Sequence, residues 1–253
     1  MDVPVSQHMK VEDDLLSVDI AAKSFGAASG DPVAVLKDLS FKLPAGRFTC
    51  MIGPSGCGKT TTLGILLGLD PDYAGLIDPA FARSRIGAVF QEPRLLPWRT
   101  VEDNIRLALP DAMAGRDLSE LFAEVGLADF RNAFPGELSL GMARRAALAR
   151  AFAIEPEILV LDEPFVSLDE ATANRLRDRL AALLAERPAT VLMVTHNIRE
   201  AVRLADHLLI LSDRPAHLVE AIDVDLPSAA RTGDPAEAFI RVLENRHPGL
   251  VLL

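Results

Sequence analysis

Along LLSVDIAAKSF (15–25) and AVLKDLSFKL (34–43), apolar and polar residues partly alternate. A period of two turns successive side chains to opposite faces, so both stretches are expected as strands of an antiparallel sheet with one wet face, separated by the turn-forming GAASGDP. Three later runs differ: FTCMI (48–52), ILVL (158–161) and VLMV (191–194) are apolar without alternation, and each leads into a loop and a helical pattern. Strands buried on both faces of a parallel sheet have that texture, so the expected fold class is α/β.

Between the first and second of these runs the rhythm is helical. Thr100 with Asp103 has capping-box spacing and opens a helix expected to reach about Leu109. Asp117 is expected to start another through about Val125, and Ser139 to cap a third running to about Ala153. Pro110, Gly126, Pro135 and Gly136 punctuate them, so a helical insert interrupts the α/β core. Residues 1–14 are polar and acidic without an apolar repeat and are expected to form a loose tail. One amphipathic helix is expected near Ala236 to Glu244.

Composition narrows the class. The 253 residues are 49% hydrophobic, enough to bury a core in one large domain or two small ones. Acidic side chains outnumber basic ones 36 to 26, a formal charge of −10. That balance argues against a nucleic-acid partner, because neutralising phosphates over a broad surface takes clustered Lys and Arg. Two cysteines, Cys50 and Cys57, are too few for a disulfide framework, and MDVPVSQHMKVEDD lacks the apolar stretch of a secretion signal, so the cytosol is the expected compartment. No run approaches the roughly 18 apolar residues of a membrane span. A mean hydropathy of +0.21 is high without one and points to an apolar docking face.

Candidate chemistry begins at GPSGCGKT, Gly53 to Thr60, which fits G-x-x-x-x-G-K-[ST] and sits between an apolar strand and a helical segment. Glycines let the backbone curl so that successive N–H groups face a phosphate, and the following helix adds its positive end. Gly53, Pro54, Ser55, Gly56, Cys57, Gly58, Lys59, Thr60 and Thr61 are thus candidate nucleotide contacts. Lys59 would bridge the β- and γ-phosphates and Thr60 would hold Mg²⁺. A second acidic group is needed for the metal, and ILVLDEP supplies Asp162 at a strand end with Glu163 beside it to orient or deprotonate water.

Together with Gln91, Leu138 to Met142, Ser167-Leu168-Asp169 and His196, these motifs fall in the order and approximate spacing of the ATP-binding cassette (ABC) ATPases, which the chain resembles from about residue 15 to 225. The resemblance implies one cassette domain over 15–227, with a nucleotide core at 44–92 and 156–215, an antiparallel β subdomain on the N-terminal side and a helical subdomain at about 93–153. Residues 228–253 would form a C-terminal helical extension. It implies ATP and Mg²⁺ as cofactors, metal contacts from Thr60, Gln91 and Asp162, and catalysis by Glu163, His196 and Gln91. Phe25 lies where the family stacks an aromatic on adenine. Ser139 and Gly141 would meet the γ-phosphate of ATP held by another subunit, although LSLGM departs from the family pattern, with Leu140 in place of a glycine and Met142 in place of the usual glutamine.

One phosphate loop and one signature segment, LSLGM at Leu138 to Met142, imply in this family a head-to-tail homodimer with two shared sites. No span is fused and only 253 − 196 = 57 residues follow His196. A separate membrane permease and no added regulatory domain are therefore expected, with the ATPase peripheral on the cytoplasmic face of the membrane. QEPRLLPWRTVEDNI, Gln91 to Ile105, resembles ATPases of nitrate, sulfonate, taurine and pyrimidine-precursor importers. Its Leu95, Leu96, Pro97 and Trp98 are expected to be exposed, forming with Arg94 and Arg99 a docking knob for the permease. GMARRAALARAFA also resembles the ATPase of lipid-trafficking systems, and a soluble or regulatory cassette is a further alternative.

Overall fold

The computed structural model describes residues 15–26 and 31–248. The tail expected at 1–14, part of the GAASGDP turn and the last residues of the C-terminal extension lie outside the described residues.

Strand β1 (Leu15–Phe25) pairs antiparallel with β2 (Val33–Pro44). Then come β3 (Phe48–Ile52), α1 (Lys59–Leu66), β4 (Ala74–Ile77), α2 (Pro79–Arg83) and β5 (Ile86–Val89). The helical stretch holds α3 (Val101–Arg106), α4 (Ser119–Glu124) and α5 (Leu140–Ala153). The chain returns through β6 (Ile158–Asp162), α6 (Glu170–Glu186), β7 (Thr190–Thr195), α7 (Ile198–Leu204), β8 (His207–Leu211), β9 (Leu218–Asp223) and α8 (Asp234–Arg246). No helix among the described residues is long and apolar enough to cross a membrane.

Two sheets result. The first, in the order β2-β1-β4, is antiparallel; the second, β5-β6-β7-β3-β8-β9, is parallel except for its last strand. Alternate residues of the continuous apolar runs enter different cores: Cys50, Ile52, Leu159 and Leu161 face the helices, whereas Met51, Ile158 and Val160 face α1 and the antiparallel sheet. Cover on both faces is why these strands carry no alternation. Cys50 is a buried core residue, as expected of a small hydrophobe, and burial pushes its thiol well above the usual range.

Helix starts follow their caps. Thr100 Oγ1 accepts from the Asp103 N–H at 3.1 Å and Ser139 Oγ from the Met142 N–H at 3.2 Å. Helix α3 stops at Arg106 because its exit tightens into turns, Ala108 N–H to Ile105 O and Leu109 N–H to Arg106 O, before Pro110. Asp117 does not cap α4 directly; it closes a local turn, accepting from the N–H and hydroxyl of Ser119 at 2.9 and 2.7 Å.

Candidate active site

Strand order sets the site. Because β3 lies beside β7, and β7 beside β6, the segments that leave their carboxyl ends emerge together. Ile52 is level with Thr195, and Asp162 with Val194, so the loop after Ile52, the Asp162-Glu163 pair and His196 share one end of the sheet. Outside the carboxyl ends of parallel strands is where α/β proteins place ligands.

The glycine-rich loop curls between β3 and α1. Gly58 has φ +127, and a Cβ there would lie 2.6 Å from Leu36 Cδ2, so backbone conformation and packing against β2 both require glycine. Lys59 is only 5% exposed, and its Nζ donates to the carbonyls of Gly53 and Pro54 at 2.7 and 2.9 Å. The ammonium is therefore held inside the curl, where phosphate oxygens would meet it together with the N-terminus of α1. Cys57 is buried against this loop, with its thiol raised by burial, which fits packing rather than reactivity.

The Thr60 hydroxyl donates to Asp162 Oδ1 at 3.2 Å. Asp162 is buried, and desolvation raises its pKa against the opposing Thr60 hydrogen bond. A carboxylate short of compensation beside a hydroxyl is a set of hard oxygens suited to Mg²⁺. Among the described residues no group of three or more His, Cys, Asp or Glu could hold a metal alone. Thr60 and Asp162 thus bring two oxygens together here, and the remaining positions around Mg²⁺ would fall to Gln91, phosphates and water.

Glu163 leaves the sheet with φ 44, a strained conformation for a non-glycine residue, while its N–H donates to Val194 O at 2.9 Å. The turn brings Glu163 Oε2 to 3.1 Å from His196 Nδ1. His196 is carried on the turn between β7 and α7, where Asn197 Oδ1 accepts from the N–H groups of Arg199 and Glu200 and caps the helix. A polar cavity of about 220 Å³ opens beside the pair.

Other expected residues lie farther out. Gln91 follows β5, which neighbours β6; it is exposed, and its carbonyl accepts from Arg144 Nη2 at 3.4 Å. Phe25 is 47% exposed rather than core, with Lys23 Nζ 4.6 Å from its ring centroid, and pairs with Val33 near the part of β2 that touches Gly58. Ser139 and Gly141 line a separate cavity of about 330 Å³ between α5 and α6. Asp169 caps α6 by accepting from the Thr172 N–H at 3.0 Å. Within one chain the signature segment and the Glu163–His196 pair therefore line different cavities.

One expectation is corrected in the loop after β5. Trp98 is 69% exposed and Pro97 is also exposed, but Leu95 and Leu96 are half-buried, Leu95 against the core that the helices cover. Asn104 causes the difference, accepting from the Leu96 N–H at 2.7 Å and donating to the carbonyls of Leu96, Arg99 and Thr100. The buried amide folds the loop inward at Leu96 and leaves Trp98 at the tip. Sequence reasoning passed over Asn104 and the buried Arg144, whose Nη1 donates to Pro164 O at 2.8 Å. The double Arg of GMARRAA was the available signal, since adjacent residues on a helix point about 100° apart and so need not share an exposure.

Residues 36–166 match the family model described as ABC transporter. The chain belongs to the ABC transporter ATP-binding family. Among its curated relatives, the aliphatic sulfonates import ATP-binding protein SsuB 2 of Burkholderia cenocepacia is 40% identical over 90% of this chain and 84% of its own. The corresponding SsuB of Bacillus licheniformis is 41% identical over 89% and 91%. Among solved structures, a dimeric ATP-binding cassette in a post-hydrolysis state bound to ADP and Pi superposes with a TM-score of 0.69 at 26% identity, covering 84% of this chain and 100% of the other. Both sheets and the helical insert thus belong to an ABC cassette.

Proposed function

We propose that the chain is the ATP-hydrolysing subunit of an ABC importer that drives uptake of a small organic anion, aliphatic sulfonates foremost, through a separate membrane permease. One observation carries the chemistry: the Thr60–Asp162 oxygens and the Glu163–His196 pair emerge at the same end of one sheet as the phosphate loop. Lys59 and the loop N–H groups receive the phosphates, and Gly53 to Thr61 with Phe25 hold the nucleotide. Thr60, Asp162 and Gln91 would hold Mg²⁺, which neutralises phosphate charge when bound. Glu163 orients and deprotonates the attacking water while His196 holds the γ-phosphate side of it, so catalysis is positioning and charge stabilisation.

Separate cavities for the signature segment and the catalytic pair fit a head-to-tail homodimer, in which Ser139 and Gly141 of one copy complete the site of the other. The solved relative is dimeric and carries ADP and Pi. Exposed Trp98 gives the permease its contact, on a subunit peripheral to the cytoplasmic face of the membrane. The cargo rests on relatives named for aliphatic sulfonate import, which favour this reading over lipid trafficking or a soluble regulatory role.

Glu163→Gln removes the base while keeping shape. It should retain ATP, lose turnover by about 100-fold or more, and run as a stable dimer with ATP on size exclusion. Wild-type turnover by that variant would overturn the assignment. For the cargo, the permease and its extracytoplasmic binding protein should be co-purified and the latter's ligand identified; a cation or a lipid there would overturn the organic anion.

A further inference from the structure

Behind the Glu163–His196 pair lies a buried arginine that the chemistry above does not use. Arg177 belongs to α6, the helix capped by Asp169, and turns inward, where it is buried. Its guanidinium lies 5.1 Å from the Phe165 ring centroid and lines the same cavity as Glu163 and His196. Nη2 donates to Glu200 Oε1 at 2.9 Å and Nη1 to Glu170 Oε1 at 3.1 Å, while Nε has no partner among the described residues. Glu170 is exposed, so the better-shielded partner is Glu200, whose side chain is 12% exposed. The other Glu200 oxygen, Oε2, accepts from the Thr195 hydroxyl at 3.0 Å, and that hydroxyl accepts from the Asn197 N–H at 3.0 Å.

Thr195 and Asn197 flank His196 in the chain. The turn that presents the imidazole is therefore tied on both sides to one hydroxyl, through it to Glu200, and through Glu200 to α6. We infer that Arg177 is a positioning residue for ATP hydrolysis: it holds Glu200 so that the Thr195–Asn197 turn keeps His196 against Glu163, and it makes that geometry depend on the placement of α6. The inference rests on the catalytic reading of His196 given above. Three carboxylates, those of Glu163, Glu170 and Glu200, line the cavity with Arg177 and His196, which disfavours a second anion site there. An ion pair of a buried arginine with a carboxylate whose second oxygen fixes the neighbour of a catalytic group suits alignment better than net stability.

Steady-state ATP hydrolysis by the full chain tests this, with thermal unfolding measured alongside. Arg177→Met keeps the apolar stem, and Thr195→Val removes only the hydroxyl. Each should lower kcat about tenfold or more while KM for ATP stays within about twofold, because positioning of the attacking water and not nucleotide binding is lost. Arg177→Lys should recover part of kcat. In a His196→Ala background neither change should lower kcat further, since each acts through the imidazole.

The inference is overturned if Thr195→Val and Arg177→Met keep wild-type kcat while His196→Ala loses it, or if their effects multiply with that of His196→Ala. Wild-type turnover by His196→Ala would instead sink the catalytic reading beneath it. If Arg177→Met does not fold, Thr195→Val and its combination with His196→Ala decide alone.

Discussion

The sheet that carries the phosphate loop and the helical insert around Trp98 share one apolar core but tie their backbone groups differently. In the sheet, strands satisfy one another's backbone groups and apolar residues fill both faces, so few long polar side chains take part. The insert consists of helices whose ends and loops are tied by arginine side chains, three of them its own and two from α6 and its C-cap. Arg145 Nη1 donates to the carbonyls of Val125 and Gly126, Arg116 Nη1 to that of Ala153, and Arg150 to those of Pro93 and Arg94. Arg179 from α6 reaches Glu124 O, and Arg187 pairs with the Glu124 carboxylate at 2.6 Å. Loop ends held by single side-chain donors can open locally at less cost than a strand can leave a sheet.

Breaking the core side of this contrast gives the largest effect. Lys59→Ala should lower ATP affinity at least tenfold, by about 1.4 kcal/mol or more, with little change in unfolding temperature. Fluorescent-nucleotide titration checks it, and unchanged affinity would mean the loop does not hold phosphate through its lysine. Next comes the seam between the halves. At Gly87 on β5 a Cβ would lie 2.6 Å from the Ala151 carbonyl oxygen on α5, so Gly87→Ala must push apart the helix that Ser139 caps and the sheet. A loss of about 1–3 kcal/mol in urea unfolding is expected.

Within the insert, Asn104→Ala removes an amide engaged four times and leaves the half-buried Leu96 N–H without its acceptor. The expected cost is about 1–3 kcal/mol, with faster hydrogen exchange confined to residues 93–100 and basal turnover retained. Exchange that rises equally in the parallel sheet would erase the contrast. The smallest effect is expected at Glu102, where a hydrogen bond from Arg131, then one from Arg106, hold the carboxyl below its usual range against partial burial. A depressed carboxylate adds stability above its ordinary pKa and loses it as pH falls through the folded value. Glu102→Gln should therefore cost about 1 kcal/mol at neutral pH, and the gap from wild type should close in acid below the usual carboxylate range.

Local chemistry was readable without a fold. Gly53 to Thr60 between a strand and a helix, Ser139 three residues before the Met142 N–H it caps, and the unalternating runs at 48–52 and 158–161 all depend on neighbours in the chain. Contacts across the chain were not readable from pattern. Glu163 faces His196 across 33 positions and Arg177 faces Glu200 across 23, pairings that spacing alone cannot choose among many acids and bases. Leu95 and Leu96 looked as exposed as Trp98 because nothing in LLPW says which way the loop folds. The Asn104 amide decided it.

The sequence by itself determined the α/β class, the phosphate loop and the helix caps, since each follows from the period of apolar positions or from bonds spanning a few residues. Only the tertiary structure decided that β3 lies between β7 and β8, and so which carboxylates and which histidine meet the loop. The reason is physical: the apolar strands are nearly interchangeable in composition, and their order is chosen by how the helices and connections pack over both faces at once.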